Sequence, residues 1–375
     1  MKVSRQLRRI VMVLLLFLVV DYLVLPQIAG VRKSLHLLGS ARPLLIGLAV
    51  AAEAGALLAY AQLTRAVLPQ KGSLGLWTAL RIDLSTLAAS HVVPGGSAVG
   101  AGLAFRLMTE AGVDGAAAGF ALGAQSIGSA LVLNVLLWLA LVVSIPVHGF
   151  SPLYVTAAIS GALLIGIFSA LVLLLTRGEA RAARVFRWVA RRVPFLDEDT
   201  VHRLVHRLAG RIRELVADRS VLVGAVAWAA ANWLLDAACL WLFVAAFGAH
   251  VAPDALLVSY GLANILAAIP ITPGGLGVVE AILTSTLVGF GVPRGVAILG
   301  VISYRLVNFW LPIPVGGLAY GSLRVDREGR RAATLRAEAE RSVRERERAR
   351  EWAERHGIKV PSSPEGHAEP GNGSA

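Results

Sequence analysis

Eight ionisable residues lie inside long apolar stretches of the 375-residue sequence, where a charge is costly. Residues of this kind usually bind a ligand, carry an ion or pair with one another. Arg305 lies about a dozen residues into the last apolar stretch, near mid-bilayer, and Glu280 follows a Pro-Gly-Gly sequence, so we expect a buried Glu280–Arg305 ion pair. Such a pair either only holds helices together or also serves a ligand, and both readings stay open. The eight residues are Glu53, Arg81, Asp83, His91, Arg106, Asp236, Glu280 and Arg305.

Two Pro-Gly-Gly sequences interrupt the apolar segments, one at Pro94–Gly96 and one at Pro273–Gly275. Backbone groups freed by Pro and Gly are tolerated at membrane depth only when they are buried in protein or line a wet cavity. A helix that restarts after Gly275 directs free N–H groups and the positive end of its dipole towards the break. We therefore predict a phosphate-binding site at the two breaks. The alternative is a pair of turns that only pack against neighbouring helices.

The apolar segments predict an all-α polytopic membrane protein. The chain is 56% hydrophobic with a mean hydropathy of +0.67, and about 20 apolar residues suffice to cross a bilayer. We predict about six full spans plus two broken re-entrant hairpins. The spans are 10–29, 43–63, 115–145, 153–176, 221–247 and 294–323, and the hairpins are 74–110 and 255–291.

The two broken segments occur in the same order, each between two spans. A shift of 179 residues lays one Pro-Gly-Gly sequence on the other, and also lays Gly112-Val113 on Gly291-Val292. The single additional span at 153–176 inverts the second copy, which gives the inverted repeat found in many transporters. We predict a transmembrane domain at 1–323, with repeat one at about 43–145 and repeat two at about 221–323.

Positive charge is concentrated in four segments, which hold 29 of the 36 Lys and Arg residues. They are 1–9, 62–75, 177–219 and 324–375, and the positive-inside rule places them and both termini in the cytoplasm. We expect a multi-pass protein of the plasma membrane, with an amphipathic loop at 177–219 and a charged tail at 324–375 that is disordered from about 357. The charge indicates contact with anionic lipid rather than with nucleic acid. The sequence contains neither a metal-ligand cluster nor a nucleotide-binding glycine loop, so we predict no metal and no cofactor.

Over about residues 8–325 the sequence resembles the lysylphosphatidylglycerol synthase transmembrane-region family, which consists of flippase-like integral membrane proteins. The resemblance is carried by the two Pro-Gly-Gly motifs, the acidic residue after the second motif, and a Tyr-Arg pair. It implies a role in moving lipid between leaflets. We expect no soluble aminoacyl-transferase domain, because only about 50 residues follow the last span. The candidate substrate-binding residues are Pro94, Gly95, Gly96, Arg106, Pro273, Gly274, Gly275, Gly277, Glu280, Tyr304 and Arg305.

We therefore predict a transporter rather than an enzyme: a flippase for a phosphate-bearing lipid, either anionic or polyprenyl-linked. Two alternatives remain open. One is a membrane-embedded transferase that acts on a phospholipid or a polyprenyl phosphate, and the other is a membrane scaffold for cytoplasmic partners. The sequence leaves the headgroup, the energy source and homo-oligomerisation open.

Overall fold

The computed structural model describes residues 41–68, 74–93, 96–148, 218–267 and 273–356, together with a few positions between 158 and 166. These residues form helices and helical turns without a strand, which confirms the all-α class. The predicted span 10–29 and the tail beyond 357 lie outside the described residues, as do nearly all of the amphipathic loop 177–219 and of span 153–176. The helices are α1 (Pro43–Ala66), α2 (Leu76–Val92), α3 (Gly96–Glu110), α4 (Gly115–His148), α5 (Arg219–Ala246), α6 (Pro253–Ala267), α7 (Val278–Gly289), α8 (Arg294–Arg305) and α9 (Pro312–Arg355).

Four segments of the described chain are long and apolar enough to cross a membrane. They are Pro43–Ala66, Gly115–Pro146, Arg219–Ala246 and Arg294–Glu328, and they correspond to four of the predicted spans. The remaining helices α2, α3, α6 and α7 have 17, 15, 15 and 12 residues. At 1.5 Å per residue, even α2 reaches only about 26 Å, which is shorter than a hydrocarbon core of about 30 Å. These short helices are the arms of the two broken hairpins.

Helices α1 and α5 lie against each other in antiparallel orientation. The N–H of Arg42, just before α1, donates to the carbonyl of Ala246 at the end of α5, at 3.0 Å. Further along the pair, the side-chain amide of Asn232 donates to the carbonyl of Ala56 at 3.0 Å. The first full span of each predicted repeat therefore packs along its counterpart and runs the opposite way.

Each hairpin also packs against the last span of the other half. On α6, a Cβ added to Gly261 would lie 3.1 Å from the Leu137 side chain of α4. On α9, a Cβ added to Gly316 would collide with the carbonyl of Leu84 on α2. The 179-residue shift lays Leu137 on Gly316 and lays Gly261 on Ile82, two residues from Leu84. A close contact of the same kind therefore occurs in both halves.

A π-helical turn at Leu306–Trp310 separates α8 from α9. Its cause is Pro312, which has no N–H to donate and whose ring clashes with the preceding turn of a helix. The N–H of Leu311 donates instead to the carbonyl of Leu306, five residues back, at 2.9 Å. This wider turn places the side chains of Asn308 and Phe309 among the central helices, where they make the contacts described next. Single π turns inside α-helices are frequent at functional sites.

Candidate functional site

The predicted ion pair between Glu280 and Arg305 is present and buried. Nε of Arg305 donates to Oε1 of Glu280 at 2.6 Å, and the two side chains are 6% and 10% exposed. A second polar atom of each side chain binds backbone. Oε2 of Glu280 accepts the N–H of Gly277 at 2.6 Å, and Nη2 of Arg305 donates to the carbonyl of Gly274 at 3.1 Å. The pair therefore fastens the last span to the break of the second hairpin.

Glycine is required at that break because the backbone turns through the left-handed region. Gly274, Gly275 and Gly277 have φ of +57°, +68° and +82°. Pro273–Gly275 form a short 3-10 turn, and α7 begins at Val278 rather than directly after Gly275 as expected. The prediction of a free N–H at the start of this helix is wrong for Gly277, because the carboxylate of Glu280 already occupies its N–H. A helix N-terminus attracts an anion, and here the protein supplies one from its own first turn.

Phe309 contacts both hairpins. The ring of His91, near the end of α2, stacks on the ring of Phe309 with centroids 4.1 Å apart. Nδ1 of His91 also lies at hydrogen-bond distance, 3.0 Å, from the Phe309 carbonyl oxygen. From the second hairpin, Gly274 packs so closely on the same ring that an added Cβ would collide with it. The guanidinium of Arg305 lies 4.4 Å from the ring centroid, a cation–π geometry.

A buried hydrogen-bond network surrounds Asp236 in the middle of α5. The hydroxyls of Tyr260 and Tyr304 donate to its Oδ2 at 2.5 and 3.2 Å. The amide of Asn308 lies 3.1 Å from Oδ1 of Asp236 and 3.2 Å from Oε1 of Glu53, so one nitrogen bridges two carboxyl groups. Tyr304 thus belongs to the network of Asp236, whereas its neighbour Arg305 belongs to the pair with Glu280.

A cavity of about 750 Å³ adjoins this network. It lies between α1, α2, α4, α5 and α6 and includes Asn308 of the π turn. Among the described residues, no Lys or Arg side chain lines it, and its polar lining consists of carboxyls, amides, hydroxyls, one imidazole and one indole. The carboxyls are Glu53, Asp83 and Asp236, and the amides are Asn134, Asn232, Asn264 and Asn308. This composition suits hydroxyl or amine groups better than a phosphate, because the carboxyl groups repel an anion and no cationic side chain among the described residues lines the cavity.

A hydrogen-bonded group around another carboxyl, that of Asp83, lies elsewhere on the cavity wall. Oδ2 of Asp83 accepts the hydroxyl of Thr64 at 2.9 Å, and Oγ1 of Thr64 accepts the amide of Gln125 at 2.8 Å. Three helices, α1, α2 and α4, therefore meet at this point through side-chain hydrogen bonds. Thr64 and Gln125 are buried, and Asp83 is half-buried.

The candidate residues of the first Pro-Gly-Gly motif are placed less centrally. Pro94 and Gly95 lie outside the described residues. Gly96 is the first residue of α3, where an added Cβ would collide with the carbonyl of Ser90 on α2, so the two arms touch there. Arg106 is 55% exposed, donates to the hydroxyl of Tyr320 at 2.9 Å and lies 3.5 Å from Glu110. Among the predicted residues, the structure joins Gly274, Gly277, Glu280 and Arg305 directly.

Sequence reasoning missed three participants: Tyr260, Asn308 and Phe309. Tyr260 and Asn308 matter because they reach Asp236 from helices distant in the sequence, and nothing local distinguishes them from other polar residues in apolar helices. Phe309 matters because His91 of the first hairpin and Gly274 of the second both pack on its ring. The one available signal was Pro312, which predicts an irregular turn just before it and hence around Asn308 and Phe309.

Comparison with known proteins gives one family and several relatives. The family model described as the lysylphosphatidylglycerol synthase TM region matches residues 7–316. Proteins named UPF0104 membrane protein from Methanothermobacter thermautotrophicus are 25% identical over 176 residues and 27% identical over 119 residues. These matches cover 44% and 32% of this chain and 52% and 35% of the relatives. A UPF0104 membrane protein from Pyrococcus horikoshii is 24% identical over 143 residues, 36% of this chain and 42% of its own length. The chain thus spans about half or less of the relatives that it matches.

Proposed function

Because the chain belongs to the lysylphosphatidylglycerol synthase transmembrane-region family, we propose that it is a transporter that moves a phosphate-bearing lipid between membrane leaflets. The main observation in support of this proposal is the polar cavity of about 750 Å³ between helices of both halves of a membrane protein. A volume of this order accommodates a small polar group, since ligand pockets usually measure about 300–1,000 Å³. In an apolar protein interior, seven amide and carboxyl side chains around one cavity favour a polar guest.

The chemistry of the lining refines the substrate class. Phosphate is not the group that enters, because the cavity wall offers carboxylates and the buried Arg305 is already bound to Glu280 and Gly274. We propose instead that the part of the headgroup beyond the phosphate enters, carrying hydroxyls or an amine that the carboxyls and amides bind. The phosphate then stays nearer the exposed surface, where Arg106 and Tyr320 offer donors. The acyl or polyprenyl chains remain in the bilayer throughout.

Two short hairpins that meet at Phe309 support a moving rather than a static role. Discontinuous helices beside a central site are typical of transporters in which one half rocks against the other. We place the protein in the plasma membrane with both termini in the cytoplasm, as the distribution of Lys and Arg favours.

The test uses the purified full chain in vesicles that contain acyl-chain-labelled phosphatidylglycerol, phosphatidylethanolamine, phosphatidic acid or a labelled polyprenyl phosphate. An impermeant quencher reports the labelled lipid in the outer leaflet, and protein-dependent exchange appears as quenching beyond half of the label. We expect exchange of the first two lipids to exceed that of phosphatidic acid, which carries nothing beyond its phosphate. If no lipid of the panel exchanges, the transporter proposal fails and a scaffold is favoured.

A pair of substitutions on α4 tests whether the cavity is the path. Ser126 lines the cavity, whereas Leu139 is 59% exposed on the same helix and does not line it. Ser126→Trp should fill the cavity and abolish most exchange, and Leu139→Trp should leave exchange close to that of the unmodified protein. Equal exchange by the two variants contradicts the assignment of the path.

A further inference from the structure

Glu53 and Asp236 face the cavity from the two antiparallel central helices, α1 and α5. The two residues are buried, at 4% and 8% exposure, and both line the cavity. One amide nitrogen, that of Asn308, lies within 3.2 Å of an oxygen of each. The two carboxyl groups are therefore close neighbours in a medium of low dielectric constant, where two like charges strongly disfavour each other.

No cation within the described residues is free to neutralise the pair. Arg305 is near enough to act on Asp236, but its guanidinium is bound to Glu280 and to the carbonyl of Gly274. The other titratable groups that face the pair are uncharged hydroxyl and thiol donors, from Tyr260, Tyr304 and Cys239. Elsewhere on the cavity wall lie Asp83, a further acid, and His91, which is hydrogen-bonded to Phe309. With both carboxyls ionised, the site would hold two uncompensated negative charges.

The hydrogen bonds distinguish the two acids. Asp236 receives three donors: two tyrosine hydroxyls on Oδ2 and the Asn308 amide on Oδ1. Three hydrogen-bond donors stabilise the ionised form of Asp236 relative to its protonated form. Glu53 receives the Asn308 amide on Oε1 and faces the Cys239 thiol, which is a weak donor, while its buried Oε2 has no hydrogen-bond partner among the described residues. A buried oxygen without a donor favours the neutral acid, so the proton belongs on Glu53.

A proton suits this arrangement better than a metal cation. Hard cations require about six oxygen ligands, and three of the polar groups around Asp236, two hydroxyls and one amide nitrogen, direct hydrogens at the carboxylate and so offer no lone pair to a cation there. A proton requires a single acceptor, and Oε2 of Glu53 supplies it. Only an O–H bond forms or breaks when this proton binds or leaves, so no other reactant is needed.

We propose that Glu53 is a proton-carrying residue opposite the fixed carboxylate of Asp236, and that its exchange of a proton couples the cavity to the transmembrane proton gradient. The coupling rests on the proposed lipid transport, while the proton site itself does not. In the protonated state the pair carries one negative charge. After release of the proton the pair carries two negative charges. The cavity then has a higher affinity for an amine, and it is less stable when no headgroup occupies it. Proton occupancy and occupancy by the headgroup thus exclude each other.

The proton site is tested on the purified full chain without any transport. Infrared spectroscopy detects the C=O stretch of a protonated carboxylic acid, and we expect part of this band at neutral pH to come from Glu53. Glu53→Gln should remove that part, and Glu340→Gln, in the exposed tail, should leave the band unchanged. Dicyclohexylcarbodiimide, which modifies protonated acids in apolar surroundings, should label the peptide that contains Glu53. An unchanged band in Glu53→Gln together with an unlabelled peptide overturns the proton site.

The coupling is tested with the vesicle assay and acyl-labelled phosphatidylethanolamine. An imposed pH gradient should shift the steady-state leaflet distribution of the label in the unmodified protein and in Glu340→Gln, and Glu53→Gln should lose the shift. An equal distribution with and without the gradient overturns the coupling, as does a shift that persists in Glu53→Gln or that a sodium gradient at equal pH reproduces. If no lipid exchanges under any condition, the transport proposal and the coupling fail together, and the infrared band still decides the proton site.

Discussion

Glu280 and Arg305 form a buried ion pair in which each side chain also binds the backbone of the Pro-Gly-Gly break. Oε1 of Glu280 accepts a hydrogen bond from Nε of Arg305 at 2.6 Å, and its Oε2 accepts one from the N–H of Gly277 at the same distance. Because the pair holds α7, α8 and the break together, loss of either partner leaves a buried charge and an unpaired backbone group. The pair thereby couples the shape of the second hairpin to the last span.

Glu280→Gln and Arg305→Gln should each cost roughly 3–5 kcal/mol of stability, the usual penalty for removing one partner of a buried pair. The double variant should lose less stability than the sum of the two single losses, because the second substitution removes the charge that the first one leaves unpaired. Thermal unfolding of the purified single and double variants measures these three losses of stability. Glu340 and Arg344, 3.5 Å apart and 70% and 65% exposed, provide the control, and exposed pairs contribute only about 0–1 kcal/mol. Additive losses at the buried pair would contradict the contact.

Gly274→Ala should destabilise the protein for two independent reasons. The residue has φ of +57°, which costs a residue with a Cβ about 1–2 kcal/mol. The added methyl group would also collide with the Phe309 ring, which cannot yield without disturbing its stack on His91. Gly102→Ala is the matched control, because Gly102 lies within α3 and no atom of the described residues lies near the position of its Cβ. The apparent unfolding temperature should fall in the first variant and be unchanged or higher in the second.

Much of this fold follows from local sequence, and the site follows only in part. Hydropathy locates the long helices because a span needs its apolar length whatever its partners are. The Pro-Gly-Gly motifs locate the breaks because Pro and Gly interrupt helices locally. The Glu280–Arg305 pair was predictable as two lone charges that each need a partner. The convergence of Tyr260 and Asn308 on Asp236 was not, because it depends on how α5, α6 and the π turn meet in space.

Cysteine labelling tests the orientation of the two hairpins. Cys239 is the sole cysteine, so its replacement by alanine gives a thiol-free background. Glu110, at the end of the first hairpin, and Arg294, just after the second, are both exposed. Cysteines placed there should react with an impermeant maleimide from opposite sides of the membrane, because α1 and α5 are antiparallel and each precedes its own hairpin. Both sites should react once the membrane is permeabilised, and labelling of both from one side would contradict the inverted arrangement.

We expect Arg106 to bind the phosphate of the lipid and to contribute little to the stability of the fold. Its side chain is 55% exposed, and its contacts with Tyr320 and Glu110 are surface contacts, which contribute little to stability. Arg106→Gln should therefore slow exchange of labelled phosphatidylglycerol several-fold in the vesicle assay, with an unchanged unfolding temperature. Arg294→Gln removes an exposed arginine near the second hairpin and controls for net charge. Tyr320→Phe removes only the hydroxyl that Arg106 contacts, and it should slow exchange less than Arg106→Gln does. If Arg106→Gln and Arg294→Gln slow exchange equally, the effect is one of overall charge, and Arg106 has no specific role.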